Sequence, residues 1–197
     1  MIFDYPQPQE QRCHEPRGYA GYESYRPWLR DEFAFRCVYC LKRETWGQVT
    51  SEFELDHFEP QALNPELRLD YLNLVYACRR CNAVKRDQTV ADPFRVLRSQ
   101  HVTTHPDGSL RPHDRETERL IRQLDLNSPR LLSWRVMWMR IVALAKLRDT
   151  GLYLQLVGFP EDLPNLSKLR PPRNARKEGL ADCWFARRQR GLLPAAY

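Results

Sequence analysis

Residues 72–85 read LNLVYACRRCNAVK, and the way this stretch folds constrains everything around it. Leu72 to Cys78 is a short run rich in apolar, β-branched and aromatic residues, bounded upstream by a proline-containing loop, which predicts a strand. The residues from Cys78 onward meet no helix breaker before Asp92-Pro93, so a helix is expected to run to that point. Between strand and helix lies the pair Cys78-x-x-Cys81. A second pair, Cys37-Val-Tyr-Cys40, stands upstream. Two thiolates at this spacing hold two corners of a tetrahedral ion, so the two pairs together predict a closed structural Zn²⁺ site of Cys37, Cys40, Cys78 and Cys81. A redox role would need only one pair in a βαβ setting, and neither condition is met. Cys13 and Cys183 are left over as free thiols.

Cys40 and Cys78 are farther apart than the ~15 to 20 residues of a compact zinc ribbon. The chain between them must therefore build structure of its own. Residues 49–58, VTSEFELDHF, partly alternate with Val49, Phe53 and Leu55 as apolar members and predict a first strand. EPQALNPELRLDY follows as a loop with two prolines. Within ELDHFEP (54–60), Asp56 and His57 are neighbours on that strand, so their side chains point to opposite faces and cannot share one core. A strand end meeting solvent would explain them if they stood alone.

The full pattern is C-x-x-C, then Asp56-His57, then Asn73-Leu74, then C-x-x-C-N-x-x-K ending at Lys85. It resembles the HNH endonuclease family, whose active site is a ββα-metal unit, over Cys37 to about Asp92. The resemblance implies His57 as general base, Asp56 and Asn82 as ligands of a catalytic Mg²⁺ or Mn²⁺, Asn73 as the group that orients His57, and the four cysteines as zinc ligands. Asn82 stands where the family often has histidine, and the asparagine form resembles a known variant that still binds the metal. Elementary chemistry agrees. Mg²⁺ takes oxygen ligands, keeps most of its waters and needs only one or two protein groups, while an imidazole suits a general base at neutral pH. The implied reaction is hydrolysis of nucleic-acid phosphodiesters to 5′-phosphate and 3′-hydroxyl ends, with DNA expected before RNA.

Two rivals use the same letters. His57-Phe-Glu59 followed by Cys78-x-x-Cys81 resembles the zinc nucleobase deaminases, but that leaves Cys37, Cys40, Asp56, Asn73 and Asn82 unexplained and lacks the proline before the second pair. Sulfur-only ligation would favour the nuclease, and mixed nitrogen and sulfur ligation the deaminase. A non-catalytic zinc module that binds DNA is the other rival, and it has no use for Asp56-His57 beside Asn82.

At 197 residues and 23.4 kDa, with 42% hydrophobic residues, fifteen prolines and a mean hydropathy of −0.66, the chain fits a globular protein with many turns. No run of ~18 apolar residues offers a membrane span, the N-terminus lacks the build of a signal peptide, and a cytoplasmic location is expected. The net charge is +6. Residues 165–197 hold eight cations against two acids and so carry the whole surplus, as a polyphosphate partner would favour. Lys85, Arg79, Arg80, Arg86, Arg187 and Arg188 are the expected nucleic-acid contacts, with Lys85 placed ahead for phosphate over an alternative pairing with Asp56 or Asp87. Trp184-Phe185 is a candidate for stacking on a nucleotide.

The expected class is α+β: a zinc-stapled ββα-metal (HNH) core over 37–92, after an N-terminal arm and helix (1–36) and before a mostly helical C-terminal region. The latter divides into an accessory hairpin and helical region (93–164) and a basic tail (165–197), with order doubtful beyond Gly151. Asp107-Gly108 predicts a hairpin turn. Ser128-Pro129 predicts the start of a helix to Arg148 that is apolar around most of its circumference. Such a helix belongs in a core or at an interface, and a homodimer near Trp138 or a controlling partner protein is expected there. Trp134 and Trp138 are expected to pack, and His14 to sit in a mobile arm.

Overall fold

The computed structural model describes residues 2–46 and 52–197. An irregular arm carries the short strand β1 (Pro16–Arg17) and leads through a 3-10 turn into α1 (Arg26–Glu32). Pro27 lies in the first turn of α1, where a missing N–H costs nothing. Strands β2 (Phe53–His57) and β3 (Leu74–Cys78) pair antiparallel, with Phe53 opposite Cys78, Asp56 opposite Val75 and His57 opposite Leu74. Helix α2 (Arg79–Lys85) leaves β3 directly. These three elements are the ββα unit that the sequence predicts, and the class is α+β. Val49 of the predicted first strand lies outside the described residues.

Downstream come α3 (Pro93–Val96), the hairpin β4 (Val102–Thr104) and β5 (Leu110–Pro112), and α4 (Arg115–Gln123). Gly108 turns the hairpin at φ 83°, and a Cβ there would lie 2.5 Å from the Leu132 carbonyl oxygen, so the Asp-Gly turn needs its glycine. Asp114 caps α4 by accepting from the Thr117 amide. Helix α5 (Pro129–Arg148) has the bounds that the sequence predicts; Ser128 stands at its N-cap without a side-chain capping bond, and its Oγ instead faces Arg80. Then follow α6 (Thr150–Val157), β6 (Arg173–Asn174), α7 (Gly179–Asp182) and α8 (Trp184–Gln189).

The core sits between α1 and the β2–β3 hairpin. Tyr25, Trp28 and Leu29 are fully buried, as are Leu74 and Ala77, and Phe53 stacks on Tyr76 with centroids 5.0 Å apart. Each such aliphatic or aromatic burial is worth roughly 1.5–3 kcal/mol. A second aromatic cluster joins the arm to α5. Trp46 stacks on Trp138 at 4.4 Å, while Phe3 and Trp134 meet it edge-on. The two tryptophans of α5 thus pack within the chain. The rest of that helix is divided: Leu131, Val142 and Ala145 are buried, whereas Met137, Leu144 and Leu147 are exposed. Among the described residues no helix is long and apolar enough to cross a membrane.

Three expectations are corrected. Helix α2 stops at Lys85 instead of running to Asp92, because Arg86 turns to φ 53° and Val90 donates to the Phe58 carbonyl, returning the chain to the end of β2. The chain beyond Gly151 is ordered. There β6 pairs with β1, and Arg176 reaches the Glu15 carboxylate (3.0 Å) and the Arg12 carbonyl (2.7 Å), so the arm supplies the partners that local sequence lacks. His14 is buried, with Nε2 2.8 Å from Asp31 Oδ2 and its ring edge-on to Trp28.

Candidate active site and metal centre

The first cysteine pair sits in a tight turn that α1 feeds through two left-handed residues, Ala34 and Phe35. The Cys37 amide donates to the Lys42 carbonyl, Leu41 donates back to Cys37, and the Val38 amide docks the turn on the Tyr76 carbonyl of β3. Cys78 ends β3 and Cys81 lies in the first turn of α2. All four are buried, and their sulfurs lie within 4.8 Å of one another, with Cys40 and Cys78 3.6 Å apart. Zinc–sulfur bonds of about 2.3 Å in a tetrahedron require sulfur separations of about 3.8 Å, so the cluster has the dimensions and donors of a four-thiolate zinc site. The proton balance points the same way. Burial pushes the Cys37 thiol up, hydrogen bonding to Cys37 and Cys40 raises Cys81, and donation from those three neighbours holds Cys78 down. Four buried sulfurs sharing protons in this manner are what a cation would resolve. No imidazole belongs to the group.

Strand alternation organises the rest of the hairpin. Glu54 and Asp56 share the face that α2 covers, while Phe53, Leu55 and His57 share the other. On α2, Asn82 and Lys85 are one turn apart and also share a face. The two periods match. Asn82 Nδ2 donates to Glu54 Oε2 at 2.7 Å, and Lys85 Nζ lies 3.0 Å from Asp56 Oδ1. Tyr39, inside the first cysteine turn, donates its hydroxyl to Asp56 Oδ2 at 2.7 Å. Asp56 and Lys85 are 4% and 1% exposed, so this is a buried, charge-matched pair.

Oxygen donors remain. A carboxylate has about four lone-pair positions, of which Lys85 and Tyr39 occupy two. Asn82 Oδ1 makes no hydrogen bond among the described residues, and Glu54 holds the amide by its nitrogen. The Asn82 amide oxygen and the Asp56 carboxylate thus keep acceptor positions that the described residues do not fill.

His57 points the other way, as alternation requires. Its ring meets Tyr22 edge-on at 5.0 Å, and Nε2 lies 2.9 Å from the Arg68 carbonyl oxygen. Asn73, expected to orient His57, makes no side-chain hydrogen bond to it among the described residues. Its Oδ1 accepts from the Glu59 amide (2.9 Å), and its Nδ2 donates to the carbonyls of Glu59 (2.9 Å) and Leu67 (3.4 Å). Asn73 therefore ties down the loop from 59 to 67, and the loop delivers Arg68 to the imidazole. Asp56 and His57 lie at the His57–Leu74 end of β2, whereas Asn82 bonds Glu54 nearer the cysteine end, and among the described residues no hydrogen bond joins any two of the three.

The basic residues part company. Lys85, expected at a phosphate, is buried because Asp56 and the His57 carbonyl (2.6 Å) hold its ammonium. Arg79 is open, 76% exposed beside Glu54, and Arg86 is exposed. Arg80 is spent on the carbonyls of Leu124 and Asp125 (both 3.2 Å). Arg187 lies over the Trp184 ring, and Arg188 donates to the carbonyls of Pro160 and Glu161. Trp184 is itself held by Asp31 through both its amide and its indole nitrogen and packs on Phe159. Sequence reading missed Glu54, Tyr39 and Arg68. Glu54 was discernible as the residue two before Asp56 on the same face; a tyrosine in a cysteine turn and a loop carbonyl carry no such signal.

Against known families, the model described as HNH endonuclease matches residues 37–88, a span that holds both cysteine pairs, β2, β3 and α2. Comparison with curated proteins finds no match.

Proposed function

Since the HNH endonuclease model matches residues 37–88, we propose that this protein is a divalent-metal-dependent endonuclease that hydrolyses nucleic-acid phosphodiesters, DNA before RNA, in the cytoplasm. The observation that carries the reading is the hydrogen bond from His57 to Arg68. A carbonyl oxygen only accepts, so Nε2 of a neutral His57 bears the proton and Nδ1 keeps its lone pair. Among the described residues Nδ1 makes no hydrogen bond, and it is not one of the buried, unpartnered atoms. A fixed tautomer with a free basic nitrogen suits proton abstraction from an attacking water.

Asp56 and Asn82 would hold Mg²⁺ or Mn²⁺, which when bound neutralises charge developing on the phosphodiester oxygens. The chain does the rest. Tyr39 and Lys85 fix the Asp56 carboxylate, and Glu54 holds the Asn82 amide so that Oδ1 stays free. His57 takes the water's proton at Nδ1. Arg79 and Arg86, exposed beside this face, meet the substrate phosphates, with Arg187 and Arg188 extending the basic surface. Cleavage leaves 5′-phosphate and 3′-hydroxyl ends. The four cysteines hold zinc in a structural role. The absence of an imidazole from the sulfur group supports the nuclease over the deaminase. The exposed Met137, Leu144 and Leu147 side of α5 is where a second copy or a controlling protein would sit.

The test is supercoiled plasmid incubated with the purified protein and Mg²⁺ or Mn²⁺, beside chelator and beside Asn82→Ala. Metal-dependent nicked or linear product that Asn82→Ala reduces supports the proposal. Cleavage that persists in chelator, or no cleavage with either ion, overturns it.

A further inference from the structure

Two arginines flank the first cysteine turn. Arg36 precedes Cys37, Arg43 lies three residues after Cys40, and the two meet across an antiparallel bridge. Arg43 is 2% exposed. A guanidinium withdrawn from water ordinarily has a carboxylate partner, because desolvating an unpaired charge is expensive. Among the described residues Arg36 forms no ion pair. Arg43 gives Nη1 to the Val157 carbonyl oxygen (3.3 Å) and Nη2 to the main-chain oxygen of Tyr197, the last residue of the sequence. The Arg36 guanidinium makes no hydrogen bond there and lies over the Tyr197 ring, 5.4 Å from its centroid.

Five buried side-chain nitrogen or oxygen atoms lack partners among the described residues, and three of them belong to this place: Arg36 Nε, Arg43 Nε and Tyr197 Oη.

All three residues line a cleft of about 570 Å³ between the N-terminal arm, α5 and α6. Lys146 and Tyr153 also line it, with the ammonium 5.9 Å from the ring centroid and in no ion pair among the described residues. Asp4 is the acid on the wall, against three cations, and the remaining surface is apolar, with Met139 and Val142 prominent. The size is that of a small-molecule site. Arg36 and Lys146, without ion pairs among the described residues, together with tyrosine faces and an aliphatic floor, match an anion attached to a flat or apolar body.

We propose that this cleft binds a phosphate-bearing ligand, with Arg36 and Lys146 as its charged contacts and Tyr153 and Tyr197 as walls for an organic body. It shares no residue with the hydrolytic site on β2 and α2.

The experiment is calorimetric titration and thermal melting of the full chain, without divalent metal and at constant ionic strength, using adenosine 5′-monophosphate, adenosine and inorganic phosphate. Saturable binding of the monophosphate that raises the melting temperature, without binding of adenosine, is expected. Phosphate binding more weakly than the monophosphate identifies an organic monoester as the ligand, and equal binding identifies the free anion. Arg36→Met should weaken binding by about tenfold or more, the worth of a charge-assisted contact, and Lys146→Ala by less. Lys146 is exposed, so its variant keeps the test open should Arg36→Met fold poorly. His57→Ala should bind as the parent does. The proposal is overturned by no saturable binding of either anion, by adenosine binding equally well, by affinity unchanged in both cleft variants, or by loss confined to His57→Ala.

Discussion

The two ends of the β2–β3 hairpin, roughly 13 Å apart at strand spacing, handle charge in opposite ways. At the Phe53–Cys78 end four identical soft donors are buried together with no internal counter-charge. Toward the His57–Leu74 end the polar groups bring their own partners: Lys85 for Asp56, the Arg68 carbonyl for His57, and the 59–67 loop for Asn73, while Glu54, opposite Ala77 and nearer the cysteines, holds Asn82. On the proposed reading the difference separates a staple from a workplace: the end without internal balance would fold around a cation, and the balanced end that keeps free acceptor atoms would stand ready before any ion arrives.

That contrast is sharpest where a cysteine is altered. Cys78→Ser should abolish zinc binding and the cooperative folding of 37–88, since a closed zinc site of this kind can supply on the order of 10 kcal/mol. Circular dichroism with zinc quantitation checks it, and a folded, zinc-loaded variant would break the comparison. At the other end, Lys85→Met leaves the Asp56 carboxylate buried and unpaired, and should cost about 3–5 kcal/mol in urea unfolding. A cost below ~1 kcal/mol would mean that the pair is not buried as described. Asn73→Ala removes the ties to Glu59 and Leu67 and should cost about 1–3 kcal/mol, with faster hydrogen exchange in the loop from 59 to 67 than elsewhere. Arg79→Ala should change stability by less than about 1 kcal/mol, because its pairing with Glu54 is open to solvent. Its effect belongs on substrate affinity, read as a shallower salt dependence of nucleic-acid binding.

Much of the zinc end was legible because its signals are local: cysteine spacing, a strand-length apolar run, a helix directly after it. The Asp-Gly turn and the Pro129 start of α5 were legible for the same reason. Partner choice was not. Arg176 finds Glu15 across 161 positions of sequence, and no window along the chain announces such a contact, so a tail that packs on the N-terminal arm reads as a loose basic tail. Lys85 was ambiguous for a related reason. One helical turn and two strand residues place it over Asp56, but only the packing of α2 on that face decides between pairing and solvent. Arg86 ended the helix early with no glycine or proline to mark it.

The most direct test of the central claim is the cleavage rate of His57→Ala under saturating Mg²⁺ or Mn²⁺, compared with the parent after confirming equal zinc content and equal melting temperature. If the imidazole with its Nε2 held by Arg68 is the base, the rate falls by about 10²–10⁴-fold while fold and zinc are retained. An unchanged rate in a folded, zinc-loaded variant would contradict it.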